Sequence, residues 1–159
     1  MTRRRAARFG AIQALYQAEL TGRQIEAVIL EFERHRLADL LEPLEGSSPK
    51  PEVDRQWFAS LTRGAWRQAP ELDPMIAATL AEGWSLQRAG YLLRAFLRAG
   101  AYELASKPDV PVSVVINEYV ELAHDFLSRD EGRFINAVLD RLATQLRPGA
   151  EDLRRPPSV

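Results

Sequence analysis

Apolar residues recur at steps of three and four through most of this chain, and no run alternates every second residue over a useful length. The first stripe joins Arg5, Arg8, Phe9, Ile12, Leu15, Tyr16 and Leu20. Thr2 is placed to cap that helix, and Thr21 with Gly22 to end it. A second helix is predicted over about 24–41, on Ile25, Val28, Ile29, Phe32, Leu37, Leu40 and Leu41. Pro43 and the Gly, Ser and Pro residues of 46–51 break the pattern and predict a surface loop. A third helix spans about 52–68 with Val53, Trp57, Phe58, Leu61 and Ala65 inward. A short fourth lies near 73–81, punctuated by Pro70 and Pro74 and ended by Gly83. Ser85 can cap a fifth over about 86–105, whose stripe of Leu93, Phe96, Leu97, Gly100, Ala101 and Leu104 lets a neighbouring helix approach closely. Pro111 opens a sixth over about 112–127, and Ser128 with Glu131 matches a capping box ahead of a seventh that runs to about 146. The pattern predicts an all-α fold of about seven helices without solenoid repeats. Residues 1–147 read as a single helical domain and 148–159 as a flexible tail.

Charge changes the picture at the start of the first helix, where Arg3, Arg4, Arg5 and Arg8 crowd together. Cations there oppose the helix dipole, at roughly 0.3–1 kcal/mol each when exposed. A cluster set against local electrostatics points to an anionic ligand. RNA would accept the guanidinium groups and also suit the free N–H groups of the helix start. A solvated basic arm is the plainer alternative. The formal net charge of the chain is only −1, so a nucleic-acid site has to be a local patch.

Composition removes other classes. At 159 residues and 46% hydrophobic content the chain can bury a real core. Cysteine is absent, which excludes disulfides and thiolate chemistry. No apolar run has the length of a membrane span. Gln13, Gln17 and Glu19 interrupt the apolar positions behind the N-terminal charges, against a secretory signal or an anchor. The expectation is a cytoplasmic protein with no membrane partner.

Catalytic constellations are missing as well. His35 sits among Glu33, Arg34 and Arg36, on what reads as a solvated face. Glu121 and His124 have the spacing of half a di-iron motif, but the second pair cannot be built from His35. Glu121 and Asp125 around His124 read as exposed helical ion pairs. There is no Gly-Lys phosphate loop, dinucleotide fingerprint or nucleophile elbow. No enzyme activity, metal or cofactor is expected. A second candidate site lies at the start of the seventh helix, where Arg129, Asp130, Glu131, Gly132, Arg133 and Phe134 gather. Phe134 is either the first core residue of that helix or a face for base stacking.

Four motifs in order resemble the NusB family of bacterial transcription antitermination factors. They are Arg5-Ala-Ala-Arg8 with Gln13-Ala-Leu-Tyr16; Arg94-Ala-Phe-Leu-Arg98 with Ala101-Tyr-Glu-Leu104; Asp109-Val-Pro111 with Val114-Val-Ile-Asn-Glu118 and Glu121-Leu-Ala123; and Arg133-Phe-Ile-Asn136 with Val138-Leu-Asp-Arg141. The likeness spans roughly residues 3 to 145. It implies two small helical bundles packed across each other and a non-enzymatic role. That role is binding the single-stranded boxA element of ribosomal RNA transcripts with NusE, a ribosomal protein of the small subunit. The complex joins NusA, NusG and RNA polymerase and suppresses premature termination. Carried onto this sequence, the resemblance gives Arg5 and Arg8 to RNA phosphates, and the charge cluster adds Arg3 and Arg4 as RNA-binding candidates beside them. Arg133 and Phe134 would contact the RNA, with Phe134 stacking on a base, and Asp130 would tune affinity. Tyr16 and Arg94 would face NusE. Leu93 departs from the acidic residue frequent before the Arg-Ala pair, and the 46–51 loop is longer than the family minimum. Two other roles suit the same helices: an accessory RNA-binding domain of a ribosomal RNA methyltransferase, and a homodimer that hides the RNA surface.

Overall fold

The Thr2 hydroxyl starts the first helix by accepting the Arg5 N–H at 3.1 Å, and Gly22 ends it in the left-handed region at φ 72°, its N–H donating to the Ala18 carbonyl. The computed structural model describes residues 1–40 and 52–149. The expected loop at 46–51, the end of the second helix at Leu41 and nearly all of the expected tail lie outside the described residues. Among the described residues there are seven α-helices and no strand: α1 (Arg3–Thr21), α2 (Ile25–Glu31), α3 (Arg55–Arg67), α4 (Ala69–Thr79), α5 (Tyr91–Ser106), α6 (Val112–Phe126) and α7 (Arg129–Leu146). The chain divides into two compact units, Met1–Arg67 and Gln68–Val159.

In the first unit, α1 turns a stripe of small residues toward α3. Ala7, Ala11, Ala14 and Ala18 are fully buried. Gly10 lies so close to its neighbours that an added Cβ would stand 3.0 Å from Leu37 and 3.3 Å from Phe58. Phe32 and Phe58 stack at 5.9 Å at the centre. The second helix does not run on as one regular rod. After Glu31 the chain widens into a π-helical turn, Phe32–Arg36, and then tightens into a 3-10 turn, Leu37–Asp39. The Leu37 N–H donates to the Phe32 carbonyl, five residues back, and both side chains are fully buried. The wide turn brings two core residues five apart onto one side. Arg63 on α3 grips Glu26 on α2 with two bonds of 2.7 and 2.9 Å and holds that carboxyl below its ordinary range.

The second unit departs from expectation at two helix starts. α4 begins at Ala69, because Pro70 falls in its first turn, where a missing N–H costs nothing. Pro74 lies inside the same helix. α5 begins at Tyr91 instead of near 86: Gly90, at φ 86°, breaks the winding, and Ser85 caps only a short turn through the Arg88 N–H at 3.1 Å. Arg94 pins that turn by donating to the carbonyls of Leu86 at 3.1 Å and Gln87 at 2.8 Å. Arg98 and Asp73 tie α5 to α4 with bonds of 2.9 and 2.7 Å.

Gly100 lets α7 approach α5, since a Cβ there would come within 2.8 Å of the Leu139 side chain. Between α5 and α6 the fully buried Tyr119 hydroxyl donates to the fully buried Glu103 carboxylate at 3.0 Å. Beyond α7, Arg147 donates to the carbonyls of Leu104 at 2.9 Å, Lys107 at 2.7 Å, Glu103 at 3.2 Å and Val110. Burial pushes this guanidinium below its ordinary pKa while Glu103 pulls the other way. At the start of α7, Gly132 accommodates the His124 ring of α6, where a Cβ would meet the imidazole at 2.7 Å.

Arg147→Ala is expected to leave several carbonyls at the end of α5 without a donor and to destabilise the protein by about 2 kcal/mol. Arg147→Lys should recover only part of that, because an ammonium cannot reach them as a planar fork. Denaturant titration checks both. Gly132→Ala should displace the His124 ring, visible as a shift of its imidazole resonances. Stability should move by less than about 1 kcal/mol, since the helix gain of Ala over Gly offsets the displaced, exposed ring.

Candidate nucleic-acid interface

The first unit gathers its cations on one indole. Helical spacing of four places Arg4 and Arg8 over the same side of α1, with their guanidinium carbons 4.1 and 5.7 Å from the centre of the Trp57 ring. Asp54 builds the platform. Its carboxylate accepts the Trp57 N–H at 3.0 Å and so starts α3, and it stands 3.9 Å from Arg4. Arg3 donates from Nε to the Glu52 carbonyl at 2.6 Å, while its own carbonyl accepts the Asp54 N–H at 3.3 Å. The start of α1 is thus fastened to the approach to α3 by both backbone and side chains.

The four arginines are not equivalent. Arg3 and Arg4 are exposed, Arg5 is half-buried, and Arg8 is only 3% exposed. The stripe that continues the apolar face of α1 into Arg5 and Arg8 does dip into the protein, as its spacing predicts. Arg3 and Arg4 present the outward charge, and Arg8 backs the platform from within. Trp57 and Asp54 were not legible as part of this site. Trp57 reads as core from its periodicity, and nothing in one sequence says that its ring would face the start of α1.

The second unit carries its own cluster at the start of α7. The capping box forms as expected: Ser128 Oγ accepts the Glu131 N–H at 3.1 Å, and the Glu131 carboxylate accepts the Ser128 N–H at 3.2 Å. That occupies Glu131 and leaves Asp130 and Arg133 pointing outward, 4.0 Å apart and with side chains 93% and 73% exposed. Phe134, one position on, is half-buried and meets Trp84 at 5.5 Å between ring centres. Arg129 and Arg133 line an open cleft of about 570 Å³ with Val120, His124, Gly132 and Asn136. His124, expected among ion pairs with Glu121 and Asp125, instead lays its ring against Gly132. His124, Asn136 and Trp84 therefore join the residues read from sequence.

The two residues implied for a protein partner differ. Tyr16 is half-buried on α1. Arg94 is 8% exposed, with its guanidinium 4.7 Å from the centre of the Tyr91 ring and bonded to the Leu86–Gln87 turn. Among the described residues, no group of three or more His, Cys, Asp or Glu side chains could hold a metal ion, and no helix is long and apolar enough to cross a membrane.

Comparison with known proteins agrees with this architecture. A Transcription antitermination protein NusB from Rhizobium rhizogenes is 43% identical over 148 residues, covering 93% of this chain and 90% of its own. The solved NusB of T. maritima superposes with a TM-score of 0.72 at 28% identity, covering 96% of this chain and 98% of that one. A NusB crystallised with NusE and double-stranded RNA shares the fold, with a TM-score of 0.70 at 24% identity over 89% of this chain and 96% of its own. Residues 5–144 match the NusB family. With seven helices, no strand among the described residues and a relative of this identity over nine-tenths of its length, the chain belongs to the NusB family.

Proposed function

We propose that this chain is a transcription antitermination factor that binds single-stranded, boxA-like RNA of ribosomal RNA transcripts together with NusE, and that it acts with NusA, NusG and RNA polymerase against premature termination. The observation that carries the reading is the cationic start of α1, where Arg4 and Arg8 lie over Trp57 with Arg3 and Arg5 beside them. Cations that oppose a helix dipole and are nevertheless held in place suit a polyanion. Family membership supplies the partners: the Rhizobium relative is named for antitermination, and a NusB of this fold has been captured with NusE and RNA.

The chain works in this reading as a binding module in which no bond is made or broken. Arg3, Arg4 and Arg5 hold phosphates and set affinity, while Arg8 stiffens the platform beneath them. Arg133 adds a further phosphate contact, Phe134 offers a ring to an unpaired base, and Asp130 tunes the strength of the grip. Tyr16 contacts NusE directly. Arg94 acts at one remove, by fixing the Leu86–Gln87 turn. Residues 1–147 form the RNA-binding helical domain in this reading, at work in the cytoplasm.

Titration of a labelled boxA-like RNA, with and without NusE, tests the proposal. Four engaged arginines give a log–log salt slope of roughly −2 to −3 on single-stranded RNA. Replacing Arg3, Arg4 and Arg5 together by Ala should weaken binding at least tenfold and flatten that slope by about two. Unchanged affinity and slope in that variant, with its helical circular dichroism intact, would sink the reading.

A further inference from the structure

Trp84 leaves 54% of its surface in water, an unusual placement for the largest apolar side chain. It is not on a loose loop. Gly83 reverses the chain at φ 87°, and the Trp84 N–H donates to the Ala81 carbonyl at 3.0 Å. Arg88 donates to the Gly83 carbonyl at 3.2 Å, and Arg94 holds the carbonyls of Leu86 and Gln87. The turn that carries the indole is therefore fastened on both sides, and the ring is held out on a fixed mount.

The indole meets the ring of Phe134, with ring centres 5.5 Å apart and planes inclined by 34°. That contact covers part of the phenyl ring, which is already half-buried, and leaves the indole as the larger open aromatic surface. Arg133 stands next in the chain to Phe134 with 73% of its side chain exposed. An open aromatic surface at a helix start that also carries exposed cations suits a nucleotide, with the base on a ring and the phosphate on a guanidinium; a protein partner would call for an apolar surround, and Ser85, Gln87 and Arg88 of the same turn are all exposed.

We infer that Trp84 is an RNA-contacting residue: its exposed indole stacks on an unpaired base, with Phe134 as the ring that backs it and Arg133 as the phosphate contact. The inference rests on the RNA-binding reading above and extends it to the turn before α5. Phe134 keeps its own contact with an unpaired base and in addition backs the indole.

The test is a titration of labelled boxA-like RNA against the full chain, Trp84→Ala, Trp84→Phe and the variant lacking Arg3, Arg4 and Arg5. Trp84→Ala should weaken binding about tenfold, the order expected from losing one base–aromatic stack, while its melting midpoint falls by only a few degrees and the chain stays fully folded under the titration conditions. Trp84→Phe should stay within about threefold of the parent. RNA should quench tryptophan emission in the parent, and that quench should shrink in Trp84→Phe, which a merely structural role would not produce. If Trp84→Ala binds RNA as the parent does, or weakens only NusE binding, the inference is overturned while the α1 site stands on its own variant. If the parent binds no RNA, both fall.

Discussion

The ends of α4 and α5 are closed by guanidinium groups, and the joining of helices in the second unit depends on that polar interaction. An α-helix leaves its last carbonyls without partners, and each one buried unmet costs stability. Lysine occurs only at Lys50 and Lys107, so nearly all the basic residues are arginine. Arg147 answers four carbonyls at and beyond the end of α5. Arg141 on α7 reaches the carbonyl of Thr79 at the end of α4 at 2.8 Å, and Arg55 reaches that of Glu33 at 2.7 Å. A planar fork with several donors can serve carbonyls that point in different directions, which an ammonium on a flexible stem does poorly. Basic residues that look like candidates for an anionic ligand in the sequence are thus often parts of the frame.

The same double use explains the start of α1. Four arginines at a helix N-terminus repel the dipole and one another. The protein offsets that with Trp57 beneath Arg4 and Arg8, with the Asp54 carboxylate nearby, and with the Glu52 carbonyl on Arg3. The indole face attracts a cation without neutralising it, so the charge stays available outward. Burying Arg8 at 3% exposure beneath the exposed Arg4 gives the patch depth as well as charge.

Local chemistry was legible in the sequence wherever one residue decides it. Thr2, Gly22, and Ser128 with Glu131 cap or end their helices as their positions predict. Gly100 does permit the close approach read from its stripe. Legibility failed where two elements had to meet. The π-helical turn at Phe32–Arg36 arises because Phe32 and Leu37 must share one core, which a regular helical period cannot show. Ser85 looks like a helix cap, yet Gly90 and the clamp from Arg94 delay α5 to Tyr91. Trp57 and Trp84 carry no motif, and their value comes wholly from which rings and cations the fold sets beside them. The arginine cluster and the residues around Phe134 were visible as composition, but which of them are buried and which exposed was not.

Asp130 sits 4.0 Å from Arg133 on the open surface of α7. Any anion that takes Arg133 must first evict a tethered rival of the same sign. Exposed pairs of this kind are worth at most about 1 kcal/mol, so the eviction lowers affinity by a factor of about five or less. The carboxylate stays close afterwards, ready to reclaim the guanidinium, and so favours turnover of the occupant over a permanent hold.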